Sequence, residues 1–171
     1  PLQKLYNGKF VFLAENVPPL GALFYTVSYE KPNITHTEFI ISDSSVSNGK
    51  ISLQWDRNGS IIKLTDSTQY NYAGSFNGQG LNSYWYVPGL DPSKAVTNNQ
   101  VIINVLERGP IVTTVAMISN APGCNKLERR ISLYAGSGEL FIENIIDKKS
   151  IREKESVHFG FPLNSSFIGT T

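Results

Sequence analysis

The sequence predicts an all-β protein, an antiparallel β-sandwich with little helix. Three observations carry this. Short apolar runs with period-two alternation recur along the chain, the spacing that sends successive side chains to opposite faces of a strand. Turn dipeptides such as Asn48-Gly49, Asn58-Gly59, Pro88-Gly89 and Pro122-Gly123 separate them. No stretch of about a dozen residues carries a 3.6-residue apolar period with caps.

The elements follow in order. Lys9 to Leu13 is apolar and aromatic, and Pro18-Pro19 then interrupts. Leu23, Tyr25, Val27 and Tyr29 alternate with smaller or polar neighbours, which predicts a half-buried strand. Pro32 opens a polar stretch through Ser47, read as a linker with a short strand at Glu38 to Ile41 inside it. From Asn48 the pattern becomes regular. Asn48-Gly49 is a type I′ turn signal, and Ile51, Leu53 and Trp55 share one face of the strand that follows. Asn58-Gly59 turns the chain and Ser60 to Leu64 returns, completing a hairpin. Asn71 to Asn82 is a Gly- and Asn-rich loop, and Ser83 to Val87 is an aromatic strand stopped by Pro88-Gly89. Val101 to Leu106 and Ile111 to Ile118 are β-branched neighbours joined by Arg108-Gly109-Pro110. Leu127 to Ala135 and Glu139 to Ile146 flank Gly136-Ser137-Gly138 as a hairpin, and Ser156 to Phe161 ends at Pro162.

Composition bounds the function. A length of 171 residues fits one domain, or one domain and a piece of another. With 40% hydrophobic and 17% charged residues the chain has the makings of a core and is not a disordered polymer. A net charge of +1 gives no electrostatic footprint for nucleic acid or an anionic membrane, and neither is expected as a partner. No apolar run approaches the roughly 20 residues of a membrane-spanning helix. Cys124 is the single cysteine, so no intrachain disulfide and no cysteine metal cage can form. The chain begins at Pro1 without a signal pattern and holds one methionine, Met117, from which we expect a part of a longer polypeptide. The compartment stays open, with periplasm or secretion favoured for a bacterial host.

Catalytic chemistry is sparse. His36 and Glu38 would share a strand face, but two ligands fall short of a zinc site, and a solvated pair is the expectation. His158, within Val157-His158-Phe159, is expected to be a hydrogen-bonded strand residue. Glycosidases work with two carboxylates, yet Glu153 and Glu155 belong to a run of alternating charges that reads as a solvated edge. No nucleophile elbow and no phosphate loop is present. We expect no catalytic residue and no metal ligand. The aromatic strand is different: Tyr84 and Tyr86 lie on one face and Trp85 on the other, and sugars stack their C–H faces on such rings. These three are the candidate substrate-binding residues.

Several segments, in order, resemble the C-terminal β-region of glycoside hydrolase family 38, the α-mannosidases. Val17-Pro18-Pro19-Leu20-Gly21 is similar to its "V-P-P-L-G" connection, and Gly49 to Leu64 to the hairpin that begins its large sandwich. Asn82-Ser83-Tyr84-Trp85-Tyr86-Val87-Pro88 resembles its "G-A-Y-x-F-x-P" strand, and Arg108-Gly109-Pro110 its "K-G-P" turn. Arg130 to Tyr134 with Glu143 to Asp147 resembles its paired strands, and His158 to Pro162 a strand ending in "F-P".

The resemblance implies a galactose mutarotase-like supersandwich. Residues 1–30 would be the tail of a preceding small sandwich, 31–46 a linker, and 47–171 the first part of the large sandwich. It implies a non-catalytic domain supporting a separate N-terminal catalytic barrel, which holds the zinc and the aspartate nucleophile, with a mannoside-type glycan as substrate. The family's barrel motif is absent here, so neither the zinc nor the nucleophile carries over. The tyrosine of the strand motif reaches the sugar site in eukaryotic members, and Tyr84 occupies its place. The alternatives are an independent carbohydrate-binding module, and a mutarotase-like epimerase in which His158 would need an acid–base partner. Asn33, Asn58 and Asn164 each head a glycosylation sequon, a pattern short enough to arise by chance.

Overall fold

The computed structural model describes residues 2–28 and 39–164. The chain is all-β, with twelve strands and one turn of 3-10 helix (Pro92–Lys94) among the described residues. Every strand pairing is antiparallel.

One layer is a four-stranded sheet in the order β11-β10-β9-β8, formed by β8 (Ile102–Arg108), β9 (Val112–Ser119), β10 (Cys124–Tyr134) and β11 (Leu140–Lys148). The facing layer holds two smaller sheets. The first is β3 (Ile40–Ser42), β4 (Ser45–Ser47), β5 (Ser52–Trp55) and β6 (Ile61–Thr65) in sequential order, and the second pairs β7 (Ser83–Pro88) with β12 (Glu155–Gly160). Leu53, Trp55 and Ile61 pack against Val115, Met117, Ile131 and Leu133 in the main core. Burial of side chains this size contributes about 1.5–3 kcal/mol each. A second core joins Tyr84 and Phe159 of β7 and β12 to Cys124 and Leu127 of β10. An isolated bridge joins Ile61 of β6 to Leu81, two residues before β7 begins.

The predicted sandwich, its hairpins and its low helix content therefore hold. β9 shows why its sequence does not alternate cleanly: it lies between β8 and β10, and Val112 to Met117 are all buried, on both faces of the sheet. β10 does alternate, with Leu127, Arg129, Ile131 and Leu133 fully buried.

Two expectations are corrected. Leu23 to Ser28 form no strand, and Leu23, Phe24, Tyr25 and Val27 are exposed. Alternation alone does not make a strand where no backbone ladder satisfies the polar groups, and Tyr29 lies outside the described residues. The turn at Asn48-Gly49 is not type I′, since that type needs positive φ at both central residues and only Gly49 has it, at 78°. The Asn48 side chain does the work instead. Its Oδ1 accepts from Lys50 N and Ile51 N at 3.0 and 2.9 Å, and its Nδ2 donates to Tyr134 O and Ser137 O at 2.7 and 2.8 Å.

The expected linker is only partly described. Residues 31–38, with His36, Glu38 and the Asn33 sequon, lie outside, whereas β3 and β4 belong to the small sheet with β5 and β6. At the N-terminus β1 (Leu2–Lys4) and β2 (Phe10–Phe12) form a hairpin against the β8–β11 sheet. Tyr6 N donates to Glu107 Oε1 at 2.7 Å, and Arg130 Nη1 donates to the Tyr6 hydroxyl at 2.9 Å.

Candidate functional site

The β7–β12 pair positions all three aromatic candidates. Its register sets Tyr84 opposite Phe159, Trp85 opposite His158 and Tyr86 opposite Val157. Asn82 leads into β7 with φ of 57°, and its side chain exchanges two amide hydrogen bonds with Asn144, at 3.0 and 2.9 Å. Asn and Gly are the residues that visit this left-handed region at least cost.

Tyr84 points into the protein. It is fully buried, its ring meets Phe159 edge-on at 5.8 Å, and its hydroxyl donates to Pro122 O at 2.5 Å. Burial pushes its phenol pKa well up, and the neighbouring Cys124 thiol, 3.1 Å away, adds to this. A ring with no exposed area touches no sugar in this conformation, so the geometry gives Tyr84 a packing role. Tyr86 shares that face. Its hydroxyl donates to Glu155 Oε2 at 2.5 Å, which raises the Tyr86 pKa. Glu155 also pairs with Lys148, and that ammonium, followed by the Tyr86 hydroxyl, holds its carboxyl below the usual range. A carboxylate committed to two donors is a poor acid or base at neutral pH. Glu153, its expected face-mate, is exposed.

Trp85 lies on the opposite face and lines a cleft of about 940 Å³ with Val87, Ser156, His158 and Gly160 from the same two strands. Phe76 and Leu90 reach it from the loops on either side of β7. The Trp85 Nε1 donates to Ser83 Oγ at 3.0 Å, and His158 Nε2 lies 2.8 Å from Ser156 Oγ. His158 is thus the hydrogen-bonded strand histidine that was expected, and it is exposed. Phe76, Leu90 and Ser156 escaped the sequence reading. The β7–β12 register brings Ser156 to the face of Trp85, and the loops on either side of β7 bring Phe76 and Leu90.

Arg129 is the other chemically unusual residue. Its guanidinium is fully buried, with Nη1 donating to Asn82 O at 2.8 Å and Nη2 to Asn58 O. Its Nε has no partner, and burial pulls its pKa down to about 10. It fixes the turn after β5 and the entry to β7 together. Among the described residues no three His, Cys, Asp or Glu side chains gather as metal ligands.

The chain matches no protein-family model and no curated protein.

Proposed function

We propose that this chain is a non-catalytic β-domain of an α-mannosidase-like glycoside hydrolase, which packs against a separate catalytic domain and helps hold it in place. The observation that carries this reading is the surface around the "V-P-P-L-G" segment. Phe10, Phe12, Val17, Leu20, Phe24 and Val27 are all exposed, Leu20 and Phe24 completely so. Large apolar side chains presented to water along one segment, with the Phe12 and Tyr25 rings 5.0 Å apart, are what an interaction surface offers, and a domain docked there would cover them.

The backbone supports the resemblance at a second place. Asn82 stands where the family's strand motif has glycine, and its φ of 57° is one that glycine adopts freely. The described residues offer zinc no ligand set. His158 is hydrogen-bonded to Ser156, and among the described residues no three His, Cys, Asp or Glu side chains gather as metal ligands. In this reading the zinc belongs to the catalytic domain.

The test is hydrolysis of an aryl α-mannoside. The 171-residue chain alone is expected to give no turnover, and the parent enzyme that contains it is expected to be active. Leu20→Asp combined with Phe24→Asp in that parent should lower activity and loosen the domain contact, read as increased proteolysis between the domains. Turnover by the isolated chain, or a parent indifferent to the double change, would overturn the reading.

A further inference from the structure

The cleft on the outer face of β7 and β12 is built around one ring. The only polar atom of Trp85, Nε1, is used by Ser83 Oγ at 3.0 Å, so the indole is held at its edge and offers the cleft an apolar face. Gly160 keeps that arrangement open. A β-carbon there would come within 2.8 Å of Ser83 Oγ and 3.4 Å of Trp85 Nε1. Directly across the ladder stands His158, exposed and within 2.8 Å of the Ser156 hydroxyl. An aromatic plate therefore lies beside a polar pair that can both donate and accept. Exposed Phe76 and Leu90 form the apolar rim.

We propose that this cleft binds a pyranoside, with the C–H face of the sugar ring on Trp85 and its hydroxyls on His158 and Ser156. The amphipathic shape of a pyranose matches this layout: one face is C–H, and the rim carries hydroxyls in the ring plane. An aliphatic chain would use the apolar plate alone and leave the exposed His158–Ser156 pair to water. The cleft volume of about 940 Å³ lies within the usual range for small-ligand sites. The site is distinct from the inward face that holds Tyr84. It goes beyond the docking reading and does not rest on it, so either can fail alone.

Titration of the whole chain with methyl α-mannopyranoside, methyl β-glucopyranoside and methyl β-galactopyranoside, followed by calorimetry and tryptophan emission, tests it. Trp55 is buried, so an emission change on binding reports Trp85. At least one glycoside should saturate in the tens of millimolar or below. His158→Ala, on an exposed position, should weaken binding about tenfold without changing the far-ultraviolet spectrum. Trp85→Phe keeps a smaller ring and should weaken binding by a similar factor, and Gly160→Ala should shift the emission and reduce affinity. Absence of saturation by every glycoside overturns the proposal. So does saturable binding that Trp85→Phe and His158→Ala both leave unchanged.

Discussion

Gln3 and Val112 exchange two hydrogen bonds: the Gln3 Oε1 accepts from Val112 N and its Nε2 donates to Val112 O, both at 2.9 Å. Ile111 N donates to the same oxygen at 3.0 Å. A side-chain amide thus pairs with backbone as a strand residue would, and it fastens the N-terminal hairpin to the start of β9. The site is tight, since a β-carbon on Gly109 would lie 2.1 Å from Gln3 Cδ. Gln3→Ala leaves the buried N–H groups of Ile111 and Val112 without this acceptor, while Val112 O keeps its 3.4 Å bond from Gly109 N, and should cost about 1–3 kcal/mol in urea unfolding. Gln3→Glu loses the donor to Val112 and brings a carboxylate towards Glu107, so it should be no milder. Gly109→Ala should also destabilise. An unchanged urea midpoint in all three would show that the contact contributes nothing.

Arg129 supports a second prediction. A guanidinium in the core costs free energy unless its N–H groups are satisfied, and here two backbone carbonyls, Asn58 O and Asn82 O, do most of that. Arg129→Met removes the buried charge but strands Asn82 O, whereas Asn58 O keeps its bond from Asn98 Nδ2 at 3.0 Å. A loss of about 1–3 kcal/mol is expected from the unsatisfied acceptor, partly offset by the apolar side chain. Arg129→Lys cannot reach both with a planar fork and should also destabilise. Chemical denaturation of the two variants measures this, and a variant as stable as the parent would refute it.

Most of the fold was legible because β5 to β12 carry local signals: period-two faces in β5 and β10, β-branched runs in β8 and β9, glycine turns between them; β4 lay hidden in the polar stretch read as a linker. What failed were properties set by distant residues. Leu23 to Val27 alternate as well as Leu53 and Trp55 do, but none of the described strands pairs with them. The two faces of β7 were readable from Tyr84-Trp85-Tyr86. Which face is core was not, because Cys124, Leu127 and Phe159 decide it from other strands. The same holds for Gln3, an unremarkable polar residue until Gly109 to Val112 closes over it.

The Tyr84 hydroxyl gives a third prediction. Tyr84→Phe keeps the ring among Leu127 and Phe159 but removes the donor to Pro122 O, which should cost about 1–2 kcal/mol. Tyr84→Ala opens a cavity and should cost about 3–5 kcal/mol. Cys124 is buried beside it, so a thiol reagent should label the native chain slowly and the denatured chain at once. Fast labelling of the native protein would contradict the packing of this second core.

Glu128 predicts the acid limb of stability. It lies between Lys126 and Arg130, at 2.7 and 2.6 Å, on the outer face of β10. The Lys126 ammonium, reinforced by Arg130 and opposed by partial burial, holds its carboxyl below the ordinary 4.5. A carboxyl whose folded pKa is depressed binds its proton more readily in the unfolded chain. Its stabilisation is therefore complete above about 4.5 and is lost as the pH falls through the lower folded value. Glu155, held down by Lys148 and Tyr86, acts with the same sign. The melting temperature should fall between pH 6 and pH 3, and Glu128→Gln should flatten that fall while lowering the neutral-pH value slightly. Because Lys126 is half exposed, raising the salt concentration should shrink the difference between parent and variant. A variant whose melting temperature falls as steeply with acid as the parent's would remove Glu128 from the account and leave Glu155 as the carboxyl to test next.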